Sequence, residues 1–151
     1  MRPTVFIVSE GLVAPPRHGF QIHLLSLARA LAAHVNVRAF AWMPERGSDA
    51  WRTWVDSLPD GPDPDEYLCP IADGPRVGSA LGRKIRCWRA AQVTIAREGR
   101  PGDVLWVREL PTAAFAIPAL TRWLPGRREL VYLYDVASIV ELEMGLSTDV
   151  R

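Results

Sequence analysis

Lysine is almost missing from this chain of 151 residues: Lys84 is the only one, and the other basic side chains are arginines. An excess of charge of either sign is also missing. The formal net charge is +1, which leaves no strongly basic footprint of the kind that nucleic-acid partners require. Cysteine is scarce, with Cys69 and Cys87 alone. Their spacing excludes a C-x-x-C redox motif and the paired short intervals of a zinc site, and two reduced thiols are expected. No long apolar run opens the chain. Val5-Phe6-Ile7-Val8 is too short for a secretory h-region or a membrane span, so a cytoplasmic location is expected. Neither G-x-G-x-x-G nor a P-loop occurs, which removes the motif-level case for a dinucleotide or ATP, and no cofactor is expected.

What is present is the composition of a globular domain, 48% hydrophobic and 23% charged. A chain of this length buries roughly 70% of the surface its unfolded form exposes. Val5 to Val8 reads as a strand buried on both faces, as in a parallel sheet, ending at Ser9-Glu10-Gly11. The loop GLVAPPRHG follows. Ile22, Leu24, Leu25, Leu27, Ala28, Leu31 and Ala32 then recur at helical spacing, and Val35 to Ala41 gives a second strand, connected by a residue or two. This is a βαβ unit.

Residues 44 to 66, rich in proline, glycine and acidic side chains, read as a loop with one helical turn around Trp51 to Val55. Tyr67 to Ala72 reads as a third strand. A long helix follows, with Val77, Leu81, Ile85, Trp88, Gln92 and Ile95 on one stripe and Arg83, Arg86 and Arg97 opposite. Val104 to Val107 is a strand, Ala113 to Leu124 a helix interrupted near Pro118, Leu130 to Tyr134 a last strand, and another helix begins near Ile139. The alternation predicts an α/β fold, a Rossmann-like parallel sheet flanked by helices, with ligands beyond the carboxyl ends of the strands.

Three loops follow strand ends, at Glu10 to Gly19, Arg108 to Thr112 and Asp135 to Ser138, and in a parallel sheet they share one edge. Gly19 precedes a helix whose free N–H groups and dipole favour an anion; it either admits a ligand to the backbone or relieves a turn. His18 lies in that loop and His23 one turn into the helix; a lone helical histidine is more often a packed or capped residue than a catalyst, and nothing in the sequence pairs it with a nucleophile. Arg108 and Glu109 form a charge pair after a buried strand, facing the crevice or paired structurally. Tyr134-Asp135 is similar: Asp135 serves as a general base, binds a sugar hydroxyl, or caps the next helix.

The stretch HGFQIHLLSLARALAAHVNVRAF resembles the opening of family-four glycosyltransferases, which run Gly-Gly-x-Glu-x-His, a Leu/Ala-rich helix, Gly-His and a strand. Gly19, Gln21, His23, Leu27, Ala28 and Leu31 occupy the matching positions. DVLWVRELP resembles the family's Asp-Val-x-x-x-Arg strand end, and LVYLYDV its strand ending in His or His-Asp. The chain departs from the pattern at His18, for the first glycine, at Gln21, for Glu, and at Tyr134 or Asp135, for His.

The resemblance implies one half of a GT-B architecture, the N-terminal acceptor side, truncated before the domain that holds the nucleotide-sugar donor through Glu-x₇-Glu. It implies sugar transfer to an acceptor glycan, lipid or small molecule, with Asp135 catalytic. His18, Gly19, Gln21 and His23 would form the loop near the acceptor or donor phosphate, and Arg108, Glu109 and Tyr134 would line the cleft. It further implies weak peripheral contact with the inner membrane surface through the arginine stripe. The alternative is a non-catalytic Rossmann-like ligand-binding module.

Overall fold

The computed structural model describes residues 2–71, 80–100, 102–108 and 131–133. The helix expected at Ala113 to Leu124, the one near Ile139, and Glu109, Tyr134 and Asp135 lie outside the described residues.

The elements run β1 (Thr4–Val13), α1 (Gly19–Ala32), β2 (Asn36–Trp42), α2 (Asp49–Asp56), α3 (Pro64–Tyr67), β3 (Leu68–Ile71), α4 (Ala80–Glu98), β4 (Val104–Val107) and β5 (Val131–Leu133). The strands form one sheet in the order β3-β2-β1-β4-β5. Every pairing is parallel, giving the α/β, Rossmann-like architecture that the alternating pattern predicts. β1 is central: Val5 pairs with Val37 on one side and Val104 on the other.

Both faces of β1 are covered, which is why its sequence is apolar without alternation. Phe6 and Val8 face α4, in a cluster with Phe40, Leu105, Val107, Cys87, Ala91 and Ile95. Ile7 faces α1, in a cluster with Leu24, Leu25, Ala28, Ala39, Ala41 and Trp51. Burying one such large aliphatic or aromatic side chain contributes about 1.5–3 kcal/mol.

Several sequence expectations need correction. β1 continues five residues past Val8, because Val13 pairs with Trp42 after a register shift and Ala14 N–H donates to the Trp42 carbonyl at 2.9 Å. The expected turn at Ser9-Glu10-Gly11 is therefore an irregular strand end. The helical turn near Trp51 is the longer α2, started by Ser48, whose hydroxyl accepts from Trp51 N–H at 3.1 Å. Tyr67 belongs to α3, a single turn that Asp63 caps through Asp65 N–H at 2.9 Å. On α4 the buried stripe is Cys87, Ala91 and Ile95, and Ile85 is 43% exposed. The small side chains of Cys87 and Ala91 let the helix approach the sheet, so the phase of the contact follows them and not the larger Ile85. Ile22 of α1, one of the apolar residues at helical spacing, is 53% exposed.

Candidate functional site

Parallel pairing puts the ends of β1, β2 and β4 on one edge, and α1 starts there. The loop between β1 and α1 is held by one side chain. Gln21, 5% exposed, accepts through Oε1 from the N–H groups of Arg17 at 2.7 Å and His18 at 3.3 Å. Its Nε2 donates to the Gly11 carbonyl at 2.9 Å. The amide thus ties the irregular end of β1 to the first turn of α1, and its polar atoms are committed to backbone. A glutamate here would lack the donor that Gly11 uses.

His18 is the extended residue before the helix, with φ −135° and ψ 155°. Its carbonyl accepts from Gln21 and Ile22 N–H at 3.0 and 3.1 Å. Gly19 is the first helical residue and is exposed. A Cβ built there meets nothing within 4 Å, and its φ is not positive. The fold therefore makes no demand for glycine at this position. No acidic residue occupies the first turn of α1, which leaves the positive end of the helix dipole without a carboxylate from its own chain segment. His23 lies exposed one turn further on.

The strand end of β4 meets the same turn. Arg108 N–H donates to the Val8 carbonyl at 3.3 Å, and its guanidinium carbon lies 4.4 Å from the centroid of the Phe20 ring. The structure thus brings Arg108 together with the loop carrying His18, Gly19 and Gln21. Two further contacts at this edge escaped the sequence reading. Trp42 donates from Nε1 to the Glu10 carbonyl at 3.0 Å, and Arg86 stands 5.6 Å over the Trp42 ring. Helical periodicity alone places Arg86 on the outward face with Arg83 and Arg97; its length lets it reach back to the sheet edge. An aromatic at the last position of a strand was the available signal. Arg17 and Glu45 form an ion pair across the same loop.

The opposite edge is bound up in structural contacts. Asp103, 4% exposed, accepts from Thr4 N–H at 2.8 Å and Arg100 N–H at 2.6 Å. Glu98 pairs with Arg38 at 2.8 Å and Arg97 at 2.6 Å. Hydrogen bonds from Arg38 and then Arg97 hold its carboxyl below the usual range. Burial pushes the Cys69 thiol up, and neither Cys69 nor Cys87 is in a disulfide.

Among the described residues, no group of three or more His, Cys, Asp or Glu is placed to hold a metal ion. No described helix is long and apolar enough to cross a membrane. Comparison with known protein families, curated proteins and solved structures finds no match to this chain. The fold and the edge define an α/β protein of Rossmann-like construction, with loops from β1 and β4 converging on a helix N-terminus.

Proposed function

We propose that this chain is the acceptor-side half of a GT-B glycosyltransferase, which in full-length form transfers a sugar from a nucleotide-sugar donor to an acceptor hydroxyl. The observation that carries this reading is the contact of Arg108 with Phe20, which sets a cation beside an open helix start at Gly19. A glycine that the fold does not require, at a helix N-terminus with a nearby guanidinium, suits close backbone approach by a phosphate or a sugar oxygen. In this reading the Gly19 backbone faces the donor phosphate or reacting centre, with His18 and His23 flanking it. Gln21 keeps the loop in place. Arg108, Glu109 and Tyr134 line the acceptor cleft, and Asp135 is the catalytic carboxylate.

The donor half is then supplied by a segment outside this chain. Holding both reactants is the larger part of catalysis in such a cleft, so one wall alone transfers nothing. The test incubates the product of the whole reading frame, and separately this chain, with labelled nucleotide sugars and candidate glycan, lipid and small-molecule acceptors. Transfer by the whole product and none by the chain is expected. Turnover by the chain alone overturns the division of labour, and ligand binding without transfer by the whole product favours the non-catalytic module.

A weak peripheral membrane contact belongs to the same proposal. The exposed face of α4 carries Arg83, Arg89 and Arg97 together with Ile85 and Val93, the latter 65% exposed. Each arginine near an anionic surface contributes about 1 kcal/mol. Co-sedimentation with anionic vesicles that is lost at high salt supports the contact; no sedimentation at low salt removes it.

A further inference from the structure

We propose a second binding site, away from the sheet edge, for a small amphiphilic carboxylate. A groove of about 490 Å³ lies between the outer side of α1 and the segment from α2 to α3. Its walls include Ile22, Leu25, Trp54, Leu58, Pro62 and Tyr67, and Arg29 lines it as well. This volume is within the range of small-molecule sites, which combine apolar walls with a few convergent polar groups. The exposure of Ile22, a large aliphatic side chain at 53%, is explained by its place on the groove wall.

The groove holds a cation with unmet capacity. Arg29 donates from Nη2 to the Pro59 carbonyl, while its Nη1 is buried and has no hydrogen-bond partner. Among the described residues no carboxylate stands within 4.0 Å of this guanidinium, although arginines 17, 38, 46, 52 and 97 each have one. Asp60 lies on the exposed rim. The guanidinium is packed against the turn before α3: a Cβ at Gly61 would stand 3.3 Å from Nη2 and 3.4 Å from Nε. A buried cationic donor left unpaired is costly, and a charge-assisted hydrogen bond to it is among the stronger ones available. The groove therefore favours an occupant with an apolar body and one anionic head. Tyr67, whose phenol burial pushes up to about 12, stays neutral beside the cation and does not compete as an anion.

Octanoate and octanol, titrated calorimetrically into the full chain, separate head from body. Octanoate is expected to bind at least about tenfold more tightly than octanol, the equivalent of one charge-assisted hydrogen bond. Arg29→Met should bring the two affinities together, and Ile22→Asp, at an exposed wall position that folding tolerates, should weaken octanoate selectively. Equal affinities in the wild-type chain, or no binding of either, overturn the proposal even if Arg29→Met fails to fold. Sedimentation velocity covers the remaining occupant: a dimer whose formation excludes octanoate assigns the groove to a second copy and overturns the small-molecule site. None of these outcomes depends on sugar transfer.

Discussion

The guanidinium of Arg108 lies over the ring of Phe20, 4.4 Å from its centroid, and so joins the end of β4 to the first turn of α1. These residues are far apart in the chain, and parallel pairing of β1 with both β2 and β4 brings them to one edge. A cation over an aromatic face contributes about 0.5–1 kcal/mol at an exposed site, which is small for a fold. The same contact fixes where a positive charge sits relative to the open helix start at Gly19, and that placement is what the proposed function uses.

Gly19→Val separates site from scaffold. A Cβ at this position meets nothing within 4 Å, so urea unfolding should show a stability within about 0.5 kcal/mol of wild type, as for an ordinary surface change. Sugar transfer by the full-length product should fall by at least about tenfold, since a β-branched side chain blocks backbone approach. Wild-type transfer would remove Gly19 from the site.

Gln21→Leu tests the brace of the loop. The variant keeps most of the buried volume and loses three hydrogen bonds, from Arg17 and His18 N–H and to the Gly11 carbonyl. Its stability should drop by about 2 kcal/mol, the scale of leaving partly buried backbone groups unpaired. A midpoint of urea unfolding unchanged from wild type would show that water replaces all three.

Fold and site differ in how much the sequence reveals. Val5 to Val8 and Val104 to Val107 are legible as central strands because both faces are buried and every residue is apolar. The rest of β1 is not, since Ser9, Glu10 and Gly11 carry turn chemistry, and only pairing with Trp42 extends the strand. His18, Gly19 and Gln21 are legible as one loop because they are neighbours in the chain. The Arg108–Phe20 and Arg86–Trp42 contacts depend on tertiary approach and leave no periodic trace. The groove beside Arg29 is hidden for the same reason: it forms only when the turn at Pro59 to Pro62 folds back on α1.

The two faces of α4 predict opposite responses to truncation. Ile95 is fully buried against the sheet, whereas Val93 is 65% exposed. Ile95→Ala should cost about 3 kcal/mol through lost transfer energy and the cavity left behind, and Val93→Ala less than about 0.5 kcal/mol. Chemical denaturation of both variants measures the difference. Equal losses would contradict the packing phase set by Cys87 and Ala91.

Tyr67 gives a pH dependence whose sign follows from its surroundings. Burial raises its phenol from 10.0 to about 12; Arg29 opposes this and Asp63 adds to it. The folded chain therefore holds the proton more tightly than the unfolded chain. Its contribution to stability is complete below pH 10 and is lost as pH rises from 10 towards 12, where the unfolded state has released its proton and the folded state has not. Tyr67→Phe keeps the buried ring and removes the ionisable group. Urea unfolding of both proteins at pH 8, 10 and 11, values that bracket the unperturbed phenol near 10, should show a constant difference up to about pH 10. Above it the wild type should lose stability faster than the variant. Parallel losses in the two proteins across pH 10 to 11 would mean that the Tyr67 hydroxyl ionises as freely in the fold as in water, which its 2% exposure argues against.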